Sequence, residues 1–184
     1  MESRHKIQLE NSAVRQRILD TAARLFHQQG YNSTGINQLI DEAGVAKASL
    51  YQHFRTKEAI LKAYLEQASQ SWFANVNAIL GQPISTKEKV LALFDMMHDF
   101  SLSVDFRGCN FQNAVVEVGI QDTATRQVIV EHKSRMGRVF AELLPDAGLA
   151  DEVTLLFEGA LITSQLYHSL EPIEQAKKVV SRII

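Results

Sequence analysis

Apolar residues recur at spacings of three and four along almost the whole chain, and few residues interrupt this pattern. The 184 residues include only three prolines and nine glycines, and no segment shows sustained alternation of apolar and polar residues. Alternation is typical of a half-buried strand, whereas spacings of three and four are typical of an amphipathic helix. The pattern therefore predicts an all-α fold, with long helices joined by short connections.

The segments between helix-ending signals predict nine helices. Ser12 and Thr56 are suited to cap the first and fourth helices, and Gly30 and Gly44 stand where helices commonly end. We expect helices at residues 12–29, 35–43, 46–53, 57–80, 86–103, 110–118, 122–144, 149–169 and 172–184. The first three segments form a predicted N-terminal head over residues 1–57. The long fourth helix joins this head to a helical body over residues 58–184.

Charge is distributed unevenly between the predicted head and body. Residues 1–57 contain eight Lys and Arg against five Asp and Glu, so they carry +3 in a chain whose formal net charge is −2. A basic head on an acidic body suggests that the head meets a polyanion. An excess of this size is also common on solvated surfaces, so it carries weight only together with a motif.

Several protein classes are disfavoured by the composition. No run of about 18 apolar residues suggests a membrane span, and the first ten residues are charged throughout, unlike a secretory signal. The single cysteine, Cys109, fits a reducing, cytoplasmic setting. We expect no cofactor and no metal site. His98, His132 and His168 lie on three different predicted helices without a second ligand one turn away, and hydrogen-bonded or solvated histidines are the simpler interpretation.

Residues 34–57 have the layout of a helix-turn-helix, with two short helices on either side of Gly44 and Val45. In the second helix, Leu50 and Phe54 are four residues apart and face inward. The outward or lateral positions hold donors, a small apolar residue and an aromatic, which are types used on phosphates and base edges: Lys47, Ala48, Ser49, Tyr51, Gln52 and His53. The alternative is a plain helical hairpin in a globular protein.

A specific resemblance adds to this interpretation. The sequence GVAKASLYQHFRTKE at residues 44–58, preceded by ARLF at 23–26 and GY at 30–31, resembles the TetR (tetracycline-repressor-like) family. The resemblance covers about the first third of the chain. One position departs from the pattern: Gly35 stands where members often carry a Ser or Thr that touches a phosphate. Thr34 or a backbone N–H is then expected to make that contact.

The resemblance implies a ligand-responsive transcriptional regulator, most often a repressor. A helical C-terminal domain would bind a small-molecule effector and form a homodimer, and the ligand would tilt the fourth helix and release double-stranded operator DNA. The DNA-binding residues implied are Thr34, Lys47, Ala48, Ser49, Tyr51, Gln52, His53 and Lys57. For Lys57 there is a further reason, because a cation at the start of a helix is disfavoured by the helix dipole unless a phosphate or another partner compensates.

The predicted C-terminal domain offers candidates for a ligand pocket and for a dimer interface. The pocket candidates are Met and aromatic residues with the one cysteine, and such a stripe is also typical of plain core: Trp72, Phe94, Met97, Phe100, Cys109, Phe111 and Phe140. Residues 153–166 are apolar on more than one face, so one face is free for a partner unless this is a central helix of a monomer. The interface residues expected here are Val153, Phe157, Ala160, Leu161, Ser164 and Val180.

Cys109 supports two further hypotheses. It follows Arg107 and precedes a predicted helix start, where a thiol becomes acidic and reactive, as in a sensor of electrophiles or oxidants. The simpler interpretation is a small packing residue. An enzyme with Cys109 as nucleophile and His98 or His132 as base lacks any motif for an orienting group or oxyanion site. For want of such a motif we expect no enzyme. A protein-binding adaptor is also disfavoured, because it would leave the surface between Lys47 and Lys57 without a purpose.

Overall fold

The computed structural model describes residues 2–184, with side chains from residue 11 onward. Within these residues the chain forms nine helices and no strand, which confirms the predicted all-α fold. The helices are α1 (Glu2–Gln29), α2 (Ile36–Ala43), α3 (Lys47–His53), α4 (Lys57–Leu80), α5 (Thr86–Ser103), α6 (Asn110–Glu117), α7 (Thr123–Leu143), α8 (Ala147–Tyr167) and α9 (Glu171–Ile183).

Helix α1 differs most from its prediction, because it begins at Glu2 and not after Ser12. Residues 2–11 contain no glycine or proline and are rich in Glu, Arg, Lys, Gln and Leu, which favour helix. The apolar stripe therefore marked the helix only from residue 12 onward. Arg4 and Lys6, which contribute to the predicted basic excess, have side chains outside the described part of the chain.

The chain divides into two compact units, and these do not follow chain order. The first unit comprises residues 1–68 and 114–128, and the second comprises residues 69–113 and 129–184. Helices α4, α6 and α7 each contribute residues to both. The functional boundary expected after residue 57 stays a prediction. Among the described residues, no helix is long and apolar enough to cross a membrane.

The core of the first unit is built by the apolar stripe of α1 and the inner faces of α2, α3 and α4. Ile18 and Leu39 are fully buried, as are Leu50 and Leu65. Gly44 ends α2 in the left-handed region, with φ 60° and ψ 43°, and its amide donates to the carbonyl oxygen of Asp41. This turn lets α3 begin only three residues after α2 ends, so the predicted helix-turn-helix geometry is formed.

The core of the second unit is formed by buried phenylalanines on α4, α5, α7 and α8. Phe94 and Phe140 both pack edge-on against Phe157, with ring centroids 5.2 and 5.5 Å apart. At the end of α9, the ammonium of Lys87 donates to the carbonyl oxygens of Ser181 and Ile184, at 2.6 and 2.9 Å. A cation at this position compensates the unpaired carbonyls of a helix C-terminus.

The inward and outward faces of α8 and α9 are the reverse of those expected for a dimer interface. All six residues assigned to that interface are buried within this unit: Val153, Phe157, Ala160, Leu161, Ser164 and Val180. That assignment is therefore corrected, because these side chains pack against the unit's own core. A different apolar set is exposed on the two helices: Leu155, Ile162, Leu166, Tyr167, Val179 and Ile183.

Candidate nucleic-acid interface

Helix α3 is held on the first unit by two side chains one turn apart. Leu50 is fully buried and Phe54 is 4% exposed, as the spacing predicted. The guanidinium of Arg15 lies over the Phe54 ring, 5.2 Å from its centroid, and so covers the outer edge of this contact. The backbone N–H of Phe54 closes the helix by donating to the carbonyl oxygen of Leu50. These contacts fix which face of α3 turns outward.

The outward face of α3 carries the residues that the sequence selected. Lys47, Ala48, Tyr51 and Gln52 are exposed, whereas Ser49 and His53 are half-buried. Across the part of the chain that the structure describes, the polar groups of Lys47, Tyr51 and Gln52 have no hydrogen-bond partner. Tyr51 keeps 41% of its surface exposed, which is unusual for a large aromatic side chain. The face therefore offers donors, an aromatic ring and a methyl group to a partner.

Thr34 does not belong to this face, which corrects its assignment as a DNA-binding residue. Its side chain is fully buried. The hydroxyl donates to the carbonyl oxygen of Gly30 at 2.7 Å and accepts from the amide of Gln29 at 3.2 Å. Thr34 instead closes the turn after α1, because its short hydroxyl reaches back to the last turn of that helix.

Lys57 is also held inside the protein. Its ammonium donates to the carbonyl oxygens of Tyr31 and Thr34, at 3.0 and 3.1 Å, and lies 4.1 Å from the centroid of the Tyr31 ring. The cation at the start of α4 is thus explained by partners in the chain itself, and a phosphate is not required to account for it. Lys57 ties the start of α4 to the turn between α1 and α2.

Two ionisable groups near the Lys57 ammonium, Glu58 and Tyr31, have shifted pKa values. The pKa of the Glu58 carboxyl is held below its usual value, chiefly because its own backbone N–H at the start of α4 donates to the ionised form. Burial and the neighbouring Glu58 carboxylate raise the pKa of Tyr31 above its usual value. Both groups keep their ordinary charge at neutral pH, so this junction is a structural element and not a proton-transfer site.

Glu117, at the end of α6, is a site residue that the sequence did not reveal. Its carboxylate accepts from the backbone N–H of Asn32 at 2.6 Å, and the Asn32 amide donates to the Glu117 carbonyl oxygen at 3.3 Å. An acidic residue in the last turn of a helix is disfavoured by the helix dipole. This unfavourable position was the one sequence signal that Glu117 has a partner, and the backbone N–H of Asn32 is that partner.

The pocket candidates of the second unit form two clusters. Phe94 and Phe140 meet at Phe157, and together with Met97 they are fully buried, which is the plain-core alternative. Trp72, Phe100 and Phe111 form the second cluster, together with the imidazole of His132. Trp72 packs edge-on against Phe100, with ring centroids 5.4 Å apart, and also against the imidazole of His132.

His132 is the centre of this second cluster. Its imidazole stacks on Phe111 with ring centroids 3.5 Å apart, and its Nδ1 lies 3.0 Å from the Ser69 hydroxyl. Burial, together with nearby Lys133 and Arg135, lowers its pKa to about 3. His132 is therefore neutral at physiological pH, and as a hydrogen-bonded histidine it fits the simpler interpretation of the sequence. Among the described residues, no group of three potential metal ligands is found.

Two features of the second unit bear on ligand binding. The indole N–H of Trp72 and the side-chain carbonyl oxygen of Gln112 are buried with no hydrogen-bond partner in the described structure. Separately, a cleft of about 600 Å³ lies between α5 and α9. Of the predicted pocket residues, only Phe94 is among those that line it: Leu91, Phe94, Asp95, His98, Asp99, Ile173, Glu174, Lys177, Lys178 and Ser181.

Cys109 lies directly before α6 and is 6% exposed. The loop before it is held at the carbonyl oxygen of Arg107, which accepts from the amides of Asn113 and Gln165 at 2.7 and 2.9 Å. Gly108 adopts a φ of +77°, where a side chain would collide with Gln165. The position before a helix matches the sensor hypothesis, whereas the burial matches the packing interpretation.

The helix-turn-helix and the exposed, unpaired face of α3 define an all-helical protein of the DNA-binding class. The model of the bacterial regulatory proteins of the tetR family matches residues 18–64. The chain is 27% identical over 160 residues to the HTH-type transcriptional regulator LmrA of Bacillus subtilis, across 82% of this chain and 85% of that protein. It is 23% identical over 188 residues to the HTH-type transcriptional repressor DhaR of Mycobacterium sp., across 94% and 92%.

A solved structure agrees along nearly the whole chain. The crystal structure of a TetR-family transcriptional regulator from Streptomyces coelicolor has a TM-score of 0.79 and 29% identity, and the match covers 92% of this chain and 97% of that one. Residues 18–64 therefore match the TetR family, and the relatives and the solved structure support a DNA-binding transcriptional regulator of that family.

Proposed function

We propose that the protein is a homodimeric repressor that binds operator DNA through α3 and is released by a small molecule bound in the second unit. The observation that carries the proposal is the outward face of α3, whose donors have no partner within the described chain. A second helix of a helix-turn-helix enters the major groove, where such side chains contact phosphates and base edges. The residues we assign to DNA are Lys47, Ala48, Ser49, Tyr51, Gln52 and His53.

The assignment of Lys57 and Thr34 differs from the sequence-based one. Thr34 donates to the carbonyl oxygen of Gly30, and Lys57, at the start of α4, donates to the carbonyl oxygens of Tyr31 and Thr34. We propose that they support α3 indirectly, because they fix the start of α4 and the end of α1. Lys57 would then release no counterions on binding, because that effect comes only from cations that neutralise phosphates.

The exposed apolar face of α8 supports the homodimer. Leu155 and Leu166 are 73% and 74% exposed, and Ile162 between them is 46% exposed. Ile162 follows Leu155 by seven positions and Leu166 follows Ile162 by four, so the three lie on one face, with Gly159 open between the first two. A contiguous apolar face of this kind is characteristic of a protein interface. A second copy would bury the same face, because twofold interfaces are self-complementary.

The His132 cluster supports the effector site. Buried polar groups are nearly always hydrogen-bonded, so the unpaired Trp72 N–H and Gln112 oxygen call for an explanation. A ligand acceptor beside Trp72 would satisfy the indole N–H, which lies in the His132 cluster. By linkage, a ligand that binds better to the form with low DNA affinity weakens operator binding by the same factor. Repression is the sign we propose, as in the relative named a repressor.

Binding to duplex DNA, measured by gel retardation or by fluorescence anisotropy, tests the core of this proposal. We expect affinity to fall steeply with salt, because cations on the protein displace condensed counterions. Tyr51→Ala should weaken binding by about 1–3 kcal/mol, while the melting temperature stays near that of the parent, because Tyr51 is exposed. Parental affinity in this variant at moderate salt would show that α3 does not face the DNA.

Thiol sensing at Cys109 is an alternative trigger for release, and it stays a prediction. Its support is the position of Cys109 directly before α6. Its burial argues for packing. The two triggers differ in reversibility, because a bound ligand leaves on dilution whereas a thiol adduct is reversed only by added thiol.

A further inference from the structure

The outward face of α3 is not uniform, because its side chains lie at different angles from the buried side. Leu50 and Phe54 define the inward direction. With 3.6 residues per turn, Gln52 lies about 180° from that direction and Ala48 about 140° from it. Tyr51 lies only about 80° away on one flank. Gln52 and Ala48 therefore form the central ridge of the face.

The flanks carry different chemistry from the ridge. Lys47 lies about 40° from the inward direction, on the same flank as Tyr51, and His53 lies about 80° away on the opposite flank. Ala48 and Gln52 on the ridge are exposed, and so are Lys47 and Tyr51 on the one flank, whereas Ser49 and His53 on the opposite flank are half-buried. In a major groove, the ridge of a helix meets the base edges at the floor, and the flanks meet the phosphates at the walls.

We infer that Gln52 and Ala48 determine sequence specificity, with Gln52 reading an adenine and Ala48 contacting a thymine methyl, while Lys47 and Tyr51 hold phosphates. This rests on the proposed DNA-binding function of α3. The amide of Gln52 has no partner in the described structure, so both its donor and its acceptor are available. A free glutamine amide matches the N6 donor and N7 acceptor of adenine, and an alanine methyl matches the C5 methyl of thymine.

The geometry also predicts the spacing of the two bases. Ala48 and Gln52 are four residues apart, which is about 6 Å along the helix axis. Base pairs are stacked at about 3.4 Å. A helix lying along the groove therefore places the two contacts about two base pairs apart. Each half-site should contain an A·T pair read by Gln52 and a thymine about two base pairs from it.

Selection from a random duplex library by the parent, Gln52→Ala and Lys47→Ala tests the inference. The parent should select an A·T pair at one position of each half-site, and Gln52→Ala should lose roughly 5- to 150-fold of that discrimination. Lys47→Ala is the matched control on the same helix. It should keep the base preference, bind all sequences more weakly and lower the salt slope by about 1. Melting curves check that both variants are folded.

Base analogues on the selected site extend the test without changing the protein. Replacing the adenine by 7-deazaadenine removes the N7 acceptor and should weaken the parent but not Gln52→Ala. Replacing the thymine assigned to Ala48 by deoxyuridine removes the methyl group and should weaken DNA binding by both proteins equally. Unchanged selection by Gln52→Ala, or a base preference altered by Lys47→Ala, would overturn the inference while leaving DNA binding intact. A parent that retards no duplex at any salt would instead overturn the proposed function.

Discussion

Acidification from pH 7 to pH 5 should destabilise the protein through one buried imidazole, that of His132. The group is 6% exposed and stacked on Phe111, and its pKa in the folded protein is about 3. In the unfolded chain the pKa of histidine is about 6.5. Below pH 6.5 His132 binds a proton in the unfolded chain but not in the folded protein. The free energy of unfolding therefore decreases as the pH falls from 6.5 towards 3. Integrated between pH 7 and pH 5, this costs about 2 kcal/mol.

Urea denaturation followed by circular dichroism at the two pH values measures this effect. Protein concentration and ionic strength must be fixed, because the stability of the proposed dimer would depend on concentration. His132→Leu should lose about 2 kcal/mol less than the parent on acidification, whatever its absolute stability. His168→Gln controls for loss of a histidine at an exposed site. An equal loss in the parent and in His132→Leu would show that the imidazole is not held neutral by burial.

Three further changes probe other parts of the structure. Ile162→Asp should give folded monomers by light scattering, because Ile162 lies on the exposed apolar face of α8. Leu161→Asp should instead unfold the protein, because Leu161 is buried. A dimeric Ile162→Asp would exclude this face as the dimer interface. Thr34→Val should cost about 1 kcal/mol of unfolding free energy through the lost hydrogen bond to Gly30. Its affinity for DNA at moderate salt should match the parent's, and clearly weaker binding by the folded variant would return Thr34 to the interface. If Cys109 is a sensor, an alkylating agent should release DNA from the parent and not from Cys109→Ser, and equal release from both would leave Cys109 a packing residue.

Local patterns were sufficient to predict the helices and the orientation of α3. The inward pair Leu50 and Phe54 is one turn apart in a short helix with polar neighbours, so only one face could be buried. The turn at Gly44 was equally readable, because a residue with positive φ between two helical segments favours glycine. The start of α1 was not readable, since a helix without an apolar face leaves no periodic signal.

Helix α8 shows where such reasoning fails. It is apolar around most of its circumference, so spacing alone does not tell which face packs inward. Leu161 and Ile162 are adjacent and similar in chemistry, yet one is 3% exposed and the other 46%. The roles of Thr34 and Lys57 were hidden for another reason. Their partners are backbone carbonyls at the end of α1, and a carbonyl carries no sequence signature.

The shortness of α3 limits how much information one protein copy can read. Its seven residues span about 10 Å, which is the length of about three base pairs. Three base pairs occur by chance about once in 64 positions, and two copies reading three each would still find a match about once in 4,000. Against roughly a million competing sites in a genome, several hundred accidental matches would remain. An operator for this protein must therefore carry additional information in its half-site spacing, in the deformability of its uncontacted steps, or in more than one bound dimer.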